Sequence, residues 1–557
     1  MAKKAKQKLI FYFFLFFLIG CANQLPPGGG EVDRIPPEVV SVVPSDEMTN
    51  FKDDYLEIEF SEYIDKRSFQ DALFISPYIE GGMDYSWTGT TVTVEFKEPL
   101  KKDITYTVNV GSDVVDLNNK NRMANSYTFT FSTGDRIDKR MITGKVYAEK
   151  PEGVLIYAYR LGTETDTLLK SKPDYVSQTG NTGNYELKGL GESDYRVFAV
   201  LDQYRDLIYD LDQDLIGIPY QDVSLIAEDT LFTDLNFKLF KADTTAPRLF
   251  KGIMTDEKHI LVTLSEEIDK QLITPSNFFL IDSTINTSSS LKFVFKKYGK
   301  PTDLVLIPEG KFSVDNAVYL IAKVLKDSLN NEYQNDFVPI IVSDRPDTSS
   351  VNIIATDPQR NATIDFIKPN IKFYFDDAFE KNKIQGSITF TDTLRKGVLF
   401  NISYDDDATL VISPLRDLKS DKDFIVTLDL NNFIDAAGNK GDSVYRFDFK
   451  TISGLDFTGV SGKIGNIESK VNPVLVLESY DIKGRQYHKR LSNENFNFDR
   501  IEPGKYFLWY YSDADSNFKY DFGWPQPIKY SEQFSVYADT LKLKPRWTVT
   551  DVLFNLK

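Results

Sequence analysis

Cysteine occurs once in 557 residues, at position 21, and histidine twice, at 259 and 488. A single thiol forms no disulfide within the chain, so stability must come from packed cores rather than covalent staples. No cluster of Cys and His offers a zinc site. A Ser/His/Asp arrangement around His259 or His488 would need its acid and serine from other modules, so both histidines read as surface or packing residues. No glycine-rich phosphate loop opens a helix. Positive charge is also in deficit. The formal net charge is −17, a surface that repels phosphate backbones and argues against nucleic acid as a partner. Long segments of helical period are nearly absent, and beyond the N-terminal run no stretch is apolar for long enough to span a bilayer.

What the chain does have is aromatic residues, 41 Phe and 30 Tyr, enough to fill several cores. It also has a distinctive start. Lys3, Lys4, Lys6 and Lys8 precede an apolar run, Leu9 to Ile19, too short to cross a membrane. Leu18-Ile19-Gly20-Cys21 follows and resembles a bacterial lipobox. The resemblance implies that residues 1–20 are a lipoprotein signal peptide and that Cys21 is lipidated. Loss of those four lysines would take the net charge to −21. Residues 21–37, rich in Pro and Gly, read as a tether. Lipoproteins of the Bacteroidota that reach the cell surface often carry an acidic run after the cysteine. Ala22-Asn23-Gln24-Leu25 has none, which leaves the periplasmic and cell-surface faces both open.

Strand signals dominate the rest. "YLEIEF" (55–60), "TVTVEF" (91–96), "TYTVNV" (105–110) and "YTFTFST" (127–133) alternate apolar and polar residues with the period of a half-buried strand. Two repeat types organise them. The first occurs three times: a strand, a Ser/Asp-acid corner (Ser61-Glu62, Ser265-Glu266, Asp376-Asp377), paired strands, an Asp/Asn turn and a last strand. It resembles the bacterial Ig-like family of surface-layer and other exported proteins. The second occurs twice, at a constant offset of 311: Tyr185 matches Phe496, Tyr195 matches Tyr506, Phe198 matches Trp509 and Asp202 matches Asp513. Its strand, turn, Gly-x-Tyr, strand pattern resembles the transthyretin-like or carboxypeptidase-regulatory-like β-sandwich. The fold class expected is therefore all-β, with tandem sandwiches: Ig-like at 38–135, transthyretin-like at 139–241, Ig-like at 244–345 and 348–453, and transthyretin-like at 454–557.

Two features could carry chemistry. Asp513, Asp515, Asn517 and Asp521 in "DADSNFKYD" place alternate oxygens in one loop, a spacing that suits calcium. Phe518 replaces the turn glycine of an EF-hand and Trp524 stands where its bidentate Glu would be, so a self-bonded hairpin loop is the competing expectation. Phe518, Tyr520, Phe522 and Trp524 could instead form a contact patch, against the alternative that they pack. The acid runs Asp376-Asp377 and Asp405-Asp406-Asp407 are expected to be solvated turns. No catalytic residue and no required cofactor is expected; calcium is the one ligand considered. These readings converge on a non-catalytic outer-membrane lipoprotein, a scaffold or protein-binding accessory subunit of an envelope assembly, export or transport complex. The alternatives are a surface glycan-binding lipoprotein and a carboxylate-dependent hydrolase at a domain junction.

Overall fold

The computed structural model describes residues 32–79, 81–162, 167–227, 230–467 and 471–556. The expected signal peptide, Cys21 and most of the expected tether lie outside these residues. Within them the chain is almost all strand. One α-helix, Lys66–Ala72, departs from the sequence expectation. Asp65 caps it by accepting hydrogen bonds from the Arg67 and Ser68 N–H groups, and it buries Phe69 and Ala72.

The chain divides into two compact units. One runs to Lys241 and includes Asp521–Ser531; the other comprises Ala242–Tyr520 and Glu532–Lys557. In the first unit, Val39–Val43, Tyr55–Phe60, Thr91–Phe96 and Met83–Thr88 form one sheet. Leu73–Ser76, Thr105–Val110 and Tyr127–Ser132 form the second. Alternation sends Leu56, Ile58, Phe60, Val92 and Val94 into the core, against Phe129 and Phe131. The next module is joined to it through buried polar contacts. The Ser112 hydroxyl donates to the Thr179 carbonyl (2.7 Å), and the Asp113 N–H donates to Gln178 Oε1 (3.1 Å).

In the second unit, residues 249–341 close into a seven-stranded barrel rather than two separate sheets. Two pairings cause the closure. The ten-residue strand Thr287–Lys296 pairs on both sides, and Leu249–Met254 runs parallel to Glu332–Ile341. The following module keeps two four-stranded sheets. Its core is continuous with that of the barrel, because Phe293, Phe295 and Ile307 pack with Phe373, Phe375 and Phe379. Arg500 then spans the start of the last module, with its guanidinium over the rings of both Phe366 and Phe457.

The 311-residue repeat is a repeat in space as well. Strands Asn184–Leu190 and Ser193–Leu201 correspond to Asn495–Ile501 and Gly504–Ser512. The Tyr195 hydroxyl donates to the Gly191 carbonyl (2.8 Å), and the Tyr506 hydroxyl makes the same bond to Glu502 (2.7 Å).

The three Asp/Asn turns share one construction. Asp116 is fully buried and accepts backbone N–H bonds from Asn118, Asn119, Lys120 and Asn121. Asp327 accepts from Leu329 and Asn331, and Asp435 from Ala437, Gly438 and Asn439. The turn asparagine then reaches back to the segment entering its module. Asn121, Asn331 and Asn439 donate through Nδ2 to the carbonyls of Asp33, Asp243 and Asp347. Burial alone would push the Asp116 carboxyl up, but the four backbone donors outweigh it and hold the group below the ordinary aspartate range. Its stabilising effect is therefore fully present above an unfolded pKa of about 3.9 and is lost as pH falls through the lower folded value. We expect Asp116→Ala to destabilise the first unit by about 2–3 kcal/mol near neutral pH. Urea unfolding across pH should show the gap from wild type closing as pH falls below the ordinary aspartate range.

Candidate functional site

The loop expected to wrap calcium is held open by hydrogen bonds. Asp513 ends the strand Gly504–Ser512 fully buried. Its Oδ2 accepts from the Arg490 guanidinium and from the Phe518 N–H. Asp515 receives the backbone N–H and side-chain amide of Asn517. Asp521 pairs with Lys529 (2.8 Å). The third carboxylate near Asp513 and Asp515 is Glu532, eleven residues beyond Asp521 in sequence, with one oxygen from each of the three within 4.8 Å of the others. Glu532 Oε1 also accepts the Ala514 N–H (2.7 Å).

The sister loop explains this layout. Asp202 Oδ2 accepts the Leu207 N–H as Asp513 accepts that of Phe518. Asp214 Oδ1 accepts the Gln203 N–H as Glu532 accepts that of Ala514. In both copies two carboxylates brace a long loop. In the last module Arg490 also supplies a positive charge at Asp513, which weakens the electrostatic case for a cation there.

The four aromatic candidates divide. Tyr520 packs edge-on against Trp509, Tyr511 and Phe534 and belongs to the module's interior. Trp524 turns its indole N–H to the Gln526 carbonyl. Phe522 is partly exposed and lies against Phe240. Phe518 is partly exposed beside His488 and under Arg490.

A second polar centre, missed by sequence reasoning, surrounds His259. The expectation of a solvated turn fails at Asp377, which is buried, although its neighbour Asp376 is exposed. The reason is a contact across 118 residues. His259 Nε2 lies 2.9 Å from Asp377 Oδ1, and Nδ1 lies 2.9 Å from Asp256 Oδ1. Burial works against a charged imidazole, yet the hydrogen bonds and charges of the two carboxylates prevail and raise its pKa to about 10. Asp256 is correspondingly drawn down to about 2, its hydrogen bonds and the His259 charge overcoming burial. With both ring nitrogens engaged, His259 is a fixed cation rather than a general base. Asp347 approaches the same imidazole, with Oδ2 3.9 Å from Nδ1. Asp405, Asp406 and Asp407 also serve structure. Asp405 pairs with Lys372, while Asp406 and Asp407 accept the N–H groups of Lys296 and Val294.

Residues 33–133 and 347–451 match the Bacterial Ig-like domain family, and these segments cover most of the modules expected at 38–135 and 348–453. No curated protein matches the sequence. Among solved structures, the chain is similar to the N-terminal part of the bacterial S-layer protein SbsC. That similarity has 11% identity over 37% of this chain and 44% of that one, with a TM-score of 0.17. CopC from Methylosinus trichosporium OB3b is matched at 16% identity over 18% of this chain and 94% of that one, TM-score 0.15. The N-terminal four Ig domains of Dscam1 isoform 8.4 are matched at 6% identity over 72% and 92%, TM-score 0.17. The chain thus spans less than half of the first of these structures.

Three substitutions test the roles assigned. His259→Phe leaves Asp256 and Asp377 without their shared cation and should cost about 3–5 kcal/mol in the unfolding transition of the second unit. Asp513→Ala should cost about 1–3 kcal/mol by stranding the Phe518 N–H and Arg490, whereas Asp515→Ala on the exposed tip should stay within about 0.5 kcal/mol. Chemical denaturation of the full chain, followed by tryptophan fluorescence and circular dichroism, reads all three.

Proposed function

We propose that this chain is a non-catalytic, lipid-anchored outer-membrane protein that acts as a scaffold or protein-binding subunit of an envelope complex. The two Bacterial Ig-like domains support the coarser reading of a surface or binding protein. The observation that carries the protein-binding role is an apolar sheet face on the barrel of the second unit. On Glu332–Ile341, Phe337 and Ile341 point outward at 63% and 61% exposure, and Phe250 on the adjacent strand is 75% exposed. Tyr319 and Ile321 lie across the register, opposite Pro339 and Phe337. Outward apolar residues in neighbouring strands are a liability that a partner protein removes by covering them. The two 311-offset modules act, on this reading, as transthyretin-like spacers, and Cys21 supplies the attachment through its acyl chains.

Affinity purification from native membranes tests the reading. The wild-type chain should co-purify a stable envelope protein. Phe337→Asp with Ile341→Asp should abolish that capture while changing stability by less than about 1 kcal/mol, since both side chains face solvent. Cys21→Ala should leave the chain unacylated and lost from the membrane fraction. Undiminished capture by the folded double variant would remove the barrel face from the account. Specific retention on glycan columns without any protein partner would favour the glycan-binding alternative.

A further inference from the structure

The entry segment, strand corner and closing turn of the last Ig-like module bring together three carboxylates. Asp347 precedes the first strand of the module, Asp377 follows the strand Ile371–Phe375, and Asp435 anchors the turn. One oxygen from each lies within 4.8 Å of the other two. Their remaining contacts are unequal. Asp435 is occupied by the turn's N–H groups and by Asn439 Nδ2, and Asp377 Oδ1 faces His259. Asp347 Oδ1 accepts from Ser349. Asp347 Oδ2 and Asp377 Oδ2, however, are buried and accept no hydrogen bond. The Asp347 side chain is 1% exposed and Asp377 is buried as well.

Two buried carboxylate oxygens without a donor, in a cluster of three carboxylates, are costly unless something positive lies among them. Among the described residues, no lysine or arginine pairs with Asp347, Asp377 or Asp435; His259 is the one protein cation present, and it also serves Asp256. The bracing loop of the last module differs here, because Arg490 fills that role at Asp513.

We propose that Asp347, Asp377 and Asp435 bind a calcium ion. The donors are hard oxygens from three separate segments, which suits a cation that accepts irregular coordination with water completing the shell. Both nitrogens of His259 are already engaged, so the set holds no free soft or imidazole ligand to favour zinc or copper. A cavity of about 310 Å³, lined by His259, Ser349, Asp376 and Asp377, gives solvent access beside the site. The ion would tie the entering segment to the corner and turn of its module. Through Asp377 and His259 it would also fix that module against the barrel.

Internal repetition gives independent support. The barrel module likewise brings one oxygen each of Asp243, Glu266 and Asp327, from the same three positions, within 4.8 Å of one another. In the first module the equivalent Glu62 has its carboxyl pushed up by burial and by the nearby charges of Asp116 and Asp33. Among the described residues, only the module that follows the barrel leaves two buried oxygens of such a set without donors, and the proposal is confined to it.

Calcium chloride added to the full-length, chelator-treated protein tests this by isothermal titration and thermal melting. We expect a saturable site in the range of about 10⁻⁴–10⁻³ M or tighter, with a rise in melting temperature that magnesium at equal concentration does not reproduce. Asp347→Asn keeps an acceptor for Ser349 and should weaken binding by at least about tenfold by removing one ligand charge. Asp377→Asn provides a second variant should the first fail to fold. Asp513→Ala with Asp515→Ala should leave the site intact. Absence of binding to wild type up to about 10 mM, equal binding by wild type and a folded Asp347→Asn or Asp377→Asn variant, or loss only in the Asp513/Asp515 variant would each overturn the proposal.

Discussion

The buried aspartate that closes each of the three modules of the first repeat type is the interaction on which their order depends. A turn between strands leaves several backbone N–H groups without ladder partners, and a short loop folded against a core cannot give them all to water. Asp116, Asp327 and Asp435 take them instead. The asparagine of each turn then fastens the entering segment, so beginning and end of a module are tied at one point. In a chain without disulfides this does the work of a staple through hydrogen bonds alone. It also concentrates negative charge where entry segment, corner and turn meet, and a carboxylate triad arises at that point in both the barrel and the module that follows it.

The joints between modules follow the same economy of means but use different chemistry. Between the first two modules the contacts are polar and buried, through Ser112, Asp113, Gln178 and Thr179. Between the barrel and the last Ig-like module they are apolar, through Phe293 and Phe295, with the His259–Asp377 ion pair at the margin. A buried ion pair of this kind contributes little net stability against an apolar replacement, but it is unforgiving of misalignment and so specifies one arrangement of the two modules.

Much of the fold was legible in the chain because strand periodicity is local. "YLEIEF", "TVTVEF" and "TYTVNV" are strands over the residues expected, and the 311 offset recurs as paired strands and paired tyrosine hydroxyl bonds. The one α-helix was not legible: at seven residues, Lys66–Ala72 is too short for a helical period to show. Of the candidate loop, Asp513 and Asp515 come together as expected. Glu532 completes the group from beyond the loop, where no spacing rule looks for it, while Asp521 pairs with Lys529. Tyr520 reads like an exposed loop ring and is packed, because the loop folds back on the strand that precedes it.

The sequence by itself determined the all-β class, the two repeat types and their order, since each depends on side-chain alternation and turn residues within a few positions. It also determined the character of the closing turns, because Asp and Asn at that spacing bond their own backbone whatever surrounds them. Only the tertiary structure decided that His259 is a fixed cation, that Asp377 is buried beside exposed Asp376, and that Asp347 and Asp435 meet it. Those facts depend on contacts between segments about 30 to 120 residues apart in sequence, where burial sets whether a carboxylate is a solvated charge or a ligand without a partner.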